Sequence, residues 1–169
     1  MSEKRSSQKG LTLIELLVAM VVGAMIIGAV VASIIQLFTM SDRNSDYNAA
    51  FTQVQNAGYW VSHDAVQITE EPFPDGFPNG NGKFPVTLEW YDGTANHTVV
   101  YTLDASSGEL KRKLDSDSPI VIAQYIVSDA TKTSCTWDAV TKTLTLVITA
   151  QVGDQTVTRT YKVDPRPSS

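Results

Sequence analysis

The run Lys9-Gly10-Leu11-Thr12-Leu13-Ile14-Glu15 puts one carboxylate at the entrance of an apolar stretch in which nothing from Leu16 to Ser41 ionises. As a helix rising about 1.5 Å per residue, that stretch is roughly 39 Å long, more than the roughly 30 Å hydrocarbon core of a bilayer. A carboxylate at the end of such a span costs about 2 kcal/mol or more towards the helix centre and less near the interface, so a partner or a protonation is expected. Cutting the chain after Gly10 would create a partner. The new amine of Leu11 would lie one helical turn from Glu15 on the same face, and the two groups would attract strongly in apolar surroundings, within one chain or between neighbours.

Two plainer readings compete: an ordinary secretory signal and a simple single-pass anchor. A secretory signal has a shorter apolar core ending at a small-x-small cleavage site, and Glu15 is unwelcome at its start. A generic anchor gains nothing from Glu15 and does not require Gly10. The basic residues Lys4, Arg5 and Lys9 hold the N-terminus in the cytoplasm and place everything after Ser41 beyond the cell membrane.

At these residues the chain resembles the type IV pilin and type II secretion pseudopilin superfamily. The resemblance rests on a short basic leader, a Gly before the cut, an apolar first mature residue, Thr12-Leu13-Ile14-Glu15 with Glu fifth after the cut, and the apolar helix Leu16 to Phe38. It implies a prepilin peptidase that cleaves between Gly10 and Leu11 and methylates the amine of Leu11, with Glu15 as the assembly carboxylate. It also implies other major and minor pilins as partners through the N-terminal helix, which exchanges lipid for protein contacts along Leu13 to Phe38. The work of extraction would come indirectly from a platform membrane protein and an ATPase. Many major pilins carry Pro in mid-helix; this chain has Ala32 there, and only Gly23 and Gly28 loosen the helix.

The rest of the chain offers little chemistry. Its 169 residues carry 13 basic and 18 acidic side chains, and removing Lys4, Arg5, Lys9 and Glu3 with residues 1–10 leaves 10 basic, 17 acidic and a formal charge of −7. That balance speaks against nucleic acid as a partner. The one basic cluster, Lys111-Arg112-Lys113, reads as a strand with Leu110, Arg112 and Leu114 on one face and a solvated pair of lysines on the other. The single cysteine, Cys135, excludes an intrachain disulfide and sits in a strand-like setting where a buried thiol is the default. His63-Asp64 invites a catalytic reading, but neighbours on a helix lie about 100° apart, and His97 is expected in a turn. With two histidines and no nucleophile, phosphate-loop or ligand-cluster pattern, neither a catalytic residue, a metal site nor a cofactor is expected. Asp64 instead suits a partner on the sheet, Arg112 or Arg159, or a neighbouring subunit. Asn96-His97-Thr98 is a formal glycosylation sequon of a kind that arises often by chance.

The elements that carry these residues follow from periodicity. Residues 1–10 read as the leader, 11–40 as the membrane and filament-core helix, and 41–68 as its amphipathic continuation, where Tyr47, Phe51, Val54, Gly58, Val61, Ala65 and Ile68 recur at steps of four and three. Gly58 costs about 1 kcal/mol in a helix interior and implies a close approach. Residues 72–85, with four Pro and three Gly, form a loop. Its Phe73, Phe77 and Phe84 either tuck inward, the favoured reading, or face a neighbouring subunit. Residues 86–164 alternate as an antiparallel sheet of six or seven strands, with Ile120 to Val127 as a covered central strand, Gly153-Asp154 as a two-residue hairpin turn and 165–169 as a tail. The fold class is α+β and pilin-like: one long N-terminal helix on an antiparallel β-sheet.

This second half is similar, by pattern more than by exact motif, to W-type minor pilins and J-type minor pseudopilins. The likeness lies in Trp60-Val61-Ser62-His63-Asp64-Ala65, Thr98-Val99-Val100-Tyr101-Thr102-Leu103 and Gly108-Glu109-Leu110-Lys111-Arg112. It implies a low-abundance subunit that initiates or caps a filament. The alternatives are a membrane-anchored extracellular binding module outside any filament, and a major pilin.

Overall fold

The computed structural model describes residues 12–68 and 82–165. The leader with Gly10 and Leu11, the loop aromatics Phe73 and Phe77, and the tail after Pro165 lie outside the described residues. One helix, α1 (Leu13–Ala65), runs through two compact units, Met1–Asp42 and Arg43–Ser169. In the first unit α1 has no Pro and no ionisable residue after Glu15 until Asp42, and its large apolar side chains are exposed all round. By length and composition it is able to cross a membrane.

In the second unit α1 is one-sided. Ala50, Val54, Ala57, Gly58, Val61 and Ala65 are buried, and Ile68 just beyond the helix end is buried too. The expected stripe is present with two differences. Tyr47 is 46% exposed, and its ring stacks on Phe51 instead of entering the core. Asp64, which is not part of that stripe, is fully buried beside it.

Among the described residues seven antiparallel strands cover this face, in two sheets and not the expected one. The first contains β1 (Val86–Tyr91), β2 (Asn96–Asp104), β3 (Glu109–Leu114) and β4 (Ile120–Ala123), in that order; the second contains β5 (Ser134–Asp138), β6 (Thr143–Val152) and β7 (Gln155–Val163). The division falls inside the apolar run read as a central strand. Among the described residues β4 pairs with β3 alone, and its Ile120 and Val121 stay nearly half exposed. The chain then turns at Tyr125, whose φ is +61°, and the next residues join the other sheet: Ile126 bridges Ala150, Val127 N–H donates to the Thr149 carbonyl, and Gln151 N–H donates to that of Tyr125. Each half of the run thus meets a different sheet, which is why it carries apolar residues on both faces without being a central strand. Gln53 of α1 holds the junction by accepting the Gln124 N–H at 2.8 Å.

The turns follow Asp chemistry. Asp92, Asp104 and Asp138 each accept backbone N–H groups two or three residues on, between β1 and β2, β2 and β3, and β5 and β6. Gly153, at φ +52°, makes the two-residue turn between β6 and β7. The core joins the α1 stripe to Leu88, Val99 and Leu110 of the first sheet and Leu144, Leu146 and Ile148 of the second. Phe84 is half-buried against this core, so it takes the inward option.

Gly58 carries the close approach that its place in the stripe implies. The Tyr161 ring lies directly on it, and the Tyr161 hydroxyl donates to the Val54 carbonyl at 3.2 Å. A methyl group there would overlap the ring. Gly58→Ala should therefore destabilise the domain by about 1–3 kcal/mol through overpacking, although alanine is the better helix former. Thermal unfolding of the full chain in detergent checks this: an unchanged or raised midpoint would mean that the ring moves aside freely.

Candidate functional site

At the start of α1, Thr12 and Glu15 form a reciprocal cap. The Glu15 carboxylate accepts the Thr12 N–H at 3.0 Å and the Thr12 hydroxyl at 2.9 Å, and the Thr12 oxygen faces the Glu15 N–H at 3.4 Å. Two orphan N–H groups of the helix start thereby gain partners. The signal is visible in sequence as Thr-x-x-Glu, although the charge of Glu15 at the membrane entrance draws attention first. The carboxylate also lies at the positive end of the helix dipole. Next to it Leu13, Ile14, Leu16 and Leu17 are all more than half exposed, a surface that water does not favour.

A second polar site lies at the other end of α1. The buried Asp64 carboxylate accepts a forked pair from Arg112 of β3, Nε at 2.7 Å and Nη2 at 3.0 Å, together with the hydroxyl of Tyr101 on β2. Arg112 in turn covers the Trp60 ring, its guanidinium carbon 4.9 Å from the centroid. The hydrogen bonds to Asp64 raise the Arg112 pKa further, and burial drives the Tyr101 phenol far above its ordinary range. Of the two expected partners for Asp64, Arg112 is the one the fold supplies. Arg159 lies instead over Phe51, 5.0 Å from the ring centre. Tyr101 gives no sign of this role in the sequence, because a tyrosine in an alternating strand reads simply as core.

His63 and Asp64 do meet, with Nδ1 3.3 Å from Oδ1, despite their angular separation on the helix. The carboxylate is already committed to Arg112 and Tyr101, and the contact brings no nucleophile with it. His97 is not in a turn. It lies on β2 opposite Trp90, between the carboxylates of Asp92 and Asp115. Asn96 of the sequon is exposed at the first position of β2. Lys111 pairs with Glu109 at 3.0 Å and lies 3.7 Å from Asp104, which fits the solvated strand surface. Cys135 is buried, and burial pushes its thiol up to about 12. Among the described residues no group of three His, Cys, Asp or Glu side chains is placed to hold a metal ion.

Residues 5–34 match the prokaryotic N-terminal methylation motif, a span that includes the Thr12–Glu15 cap and the first part of α1. No curated protein and no solved structure matches the chain. The motif supports the type IV pilin and pseudopilin superfamily and a structural subunit processed by prepilin peptidase. Together with the exposed apolar half of α1 it supports membrane anchoring.

Proposed function

We propose that this chain is a minor pilin or pseudopilin, stored in the cell membrane by the first half of α1, that helps initiate or cap a type IV pilus or a type II secretion-like filament. The observation that carries the reading is the methylation motif at residues 5–34, coincident with the start of an apolar helix that continues unbroken into the domain that bears the sheets. Prepilin peptidase cleaves between Gly10 and Leu11 and methylates the Leu11 amine. The N-terminus faces the cytoplasm and the sheets lie outside the membrane. Glu15 then registers the incoming helix on the amine of an adjacent subunit, because an unpaired charge in the helix bundle costs several kcal/mol. The pattern likeness at Trp60 to Ala65, Thr98 to Leu103 and Gly108 to Arg112 supports the minor over the major role, as does the lack of a second cysteine, since many major pilins staple their C-terminal region.

The test is the intact mass and N-terminal sequence of the protein from its own membrane, with and without prepilin peptidase. The expected product starts at Leu11, with a methyl-sized mass increment, only when the peptidase is present. A chain that keeps Met1, or one cut downstream of Phe38, would replace this reading with an anchored binding module.

A further inference from the structure

At one end of the first sheet, three segments converge on a single imidazole. His97 Nδ1 lies 2.8 Å from Oδ2 of Asp115, which follows β3, and Nε2 lies 3.1 Å from Oδ2 of Asp92 in the β1–β2 turn. The other oxygen of each carboxylate is already engaged. Asp115 Oδ1 accepts the Thr98 N–H at 2.7 Å, and Asp92 Oδ1 accepts the N–H groups of Thr94 and Ala95 and the Thr94 hydroxyl. Trp90 stacks on the ring with centroids 5.5 Å apart.

A neutral imidazole has one N–H and one bare nitrogen, so it would turn a lone pair towards one of these carboxylates. Only the doubly protonated ring donates to both, and the indole face beside it also favours a cation. We propose that Asp92, His97 and Asp115 form a protonation-dependent clasp that fastens the β1–β2 turn to the end of β3, closed while the imidazole holds both protons and opened when it loses one.

The charged groups acting on the ring are Asp115 and Asp92, and their hydrogen bonds raise its pKa above the ordinary histidine value of 6.5. His97 in turn holds the Asp115 carboxyl low, aided by the Thr98 N–H and weakly by Arg112. Asp92 is held low first by Thr94 and then by Ala95 and His97. A raised imidazole pKa gives a contribution that is complete below the ordinary histidine value and lost as pH rises through the folded value. Lowered carboxyl pKa values give one that is lost only as pH falls through those lowered values. The clasp is therefore closed between the lowered carboxyl values and the raised imidazole value, and opens as pH rises through the latter.

The experiment is a proton titration of the full chain in detergent micelles, following the imidazole carbon resonances, with His63→Gln used to assign His97. The expected His97 midpoint is displaced upward from 6.5 and moves back down in Asp115→Asn. Protection of the Thr98 amide against exchange should fall through the same midpoint, by about tenfold for each unit of displacement. A midpoint at or below the ordinary value, or one unmoved by Asp115→Asn, overturns the proposal. So does Thr98 protection that stays constant through the midpoint. The wild-type titration stands even if a variant does not fold.

Discussion

Asp64→Ala is expected to cost the domain about 3–5 kcal/mol, enough to unfold much of it. The substitution leaves the Arg112 guanidinium, 11% exposed, without its counter-charge and strips the Tyr101 hydroxyl of its acceptor. The loss is one of uncompensated charge and not of ion-pair strength, so removing both ions should be far milder. Asp64→Leu with Arg112→Met should recover most of the stability lost in Asp64→Leu alone. A double-mutant cycle, read by thermal unfolding of the full chain in detergent, measures this. Equal losses in the single and double variants would show that packing around the pair, and not the buried charge, sets the cost.

The second large effect concerns Glu15. Glu15→Ala should leave the protein inserted and processed while its recovery in sheared filaments falls about tenfold or more, the effect of losing some 1.4 kcal/mol of registration. The cap gives the experiment a control. Gln at this position still supports a reciprocal cap with Thr12, but it carries no charge. If Glu15 acts through its charge on a neighbour, Glu15→Gln should fail as badly as Glu15→Ala. Incorporation of Glu15→Gln at the wild-type level would reduce Glu15 to a helix-capping residue, and wild-type incorporation of both variants would remove it from assembly altogether.

The features legible in the sequence were those set by local physics. The α1 stripe follows a 3.6-residue period, the strands alternate, and turns mark themselves with Asp, Gly and Ser; these imply one long helix and six or seven strands, and the described residues contain α1 and seven strands. Gly58 could be read as a close approach because glycine has no other advantage inside a helix. What escaped depends on which distant segments meet. An octapeptide apolar on both faces looks the same whether one sheet buries it or two sheets share it, so Ile120 to Val127 reads as one central strand. Arg112 could be named as one of two partners for Asp64 from 48 residues away, but the full burial of the carboxylate and the Tyr101 hydroxyl 37 residues away depend on the packing of the sheet on α1. His97 fell among turn residues, yet it pairs in β2, and its link to Asp115 spans 18 positions. In the candidate site, the Thr12–Glu15 cap is local and legible as Thr-x-x-Glu, whereas the partner proposed for Glu15 would belong to another chain.

The buried thiol has a practical consequence. Cys135 is the chain's only cysteine, and with its pKa pushed up to about 12 it offers almost no thiolate to a reagent at neutral pH. Val140, in the turn between β5 and β6, is 93% exposed. A cysteine placed there would be the sole reactive thiol without removal of the native one, so a fluorophore could mark each copy at one known point and show by microscopy whether the chain enters a filament and where.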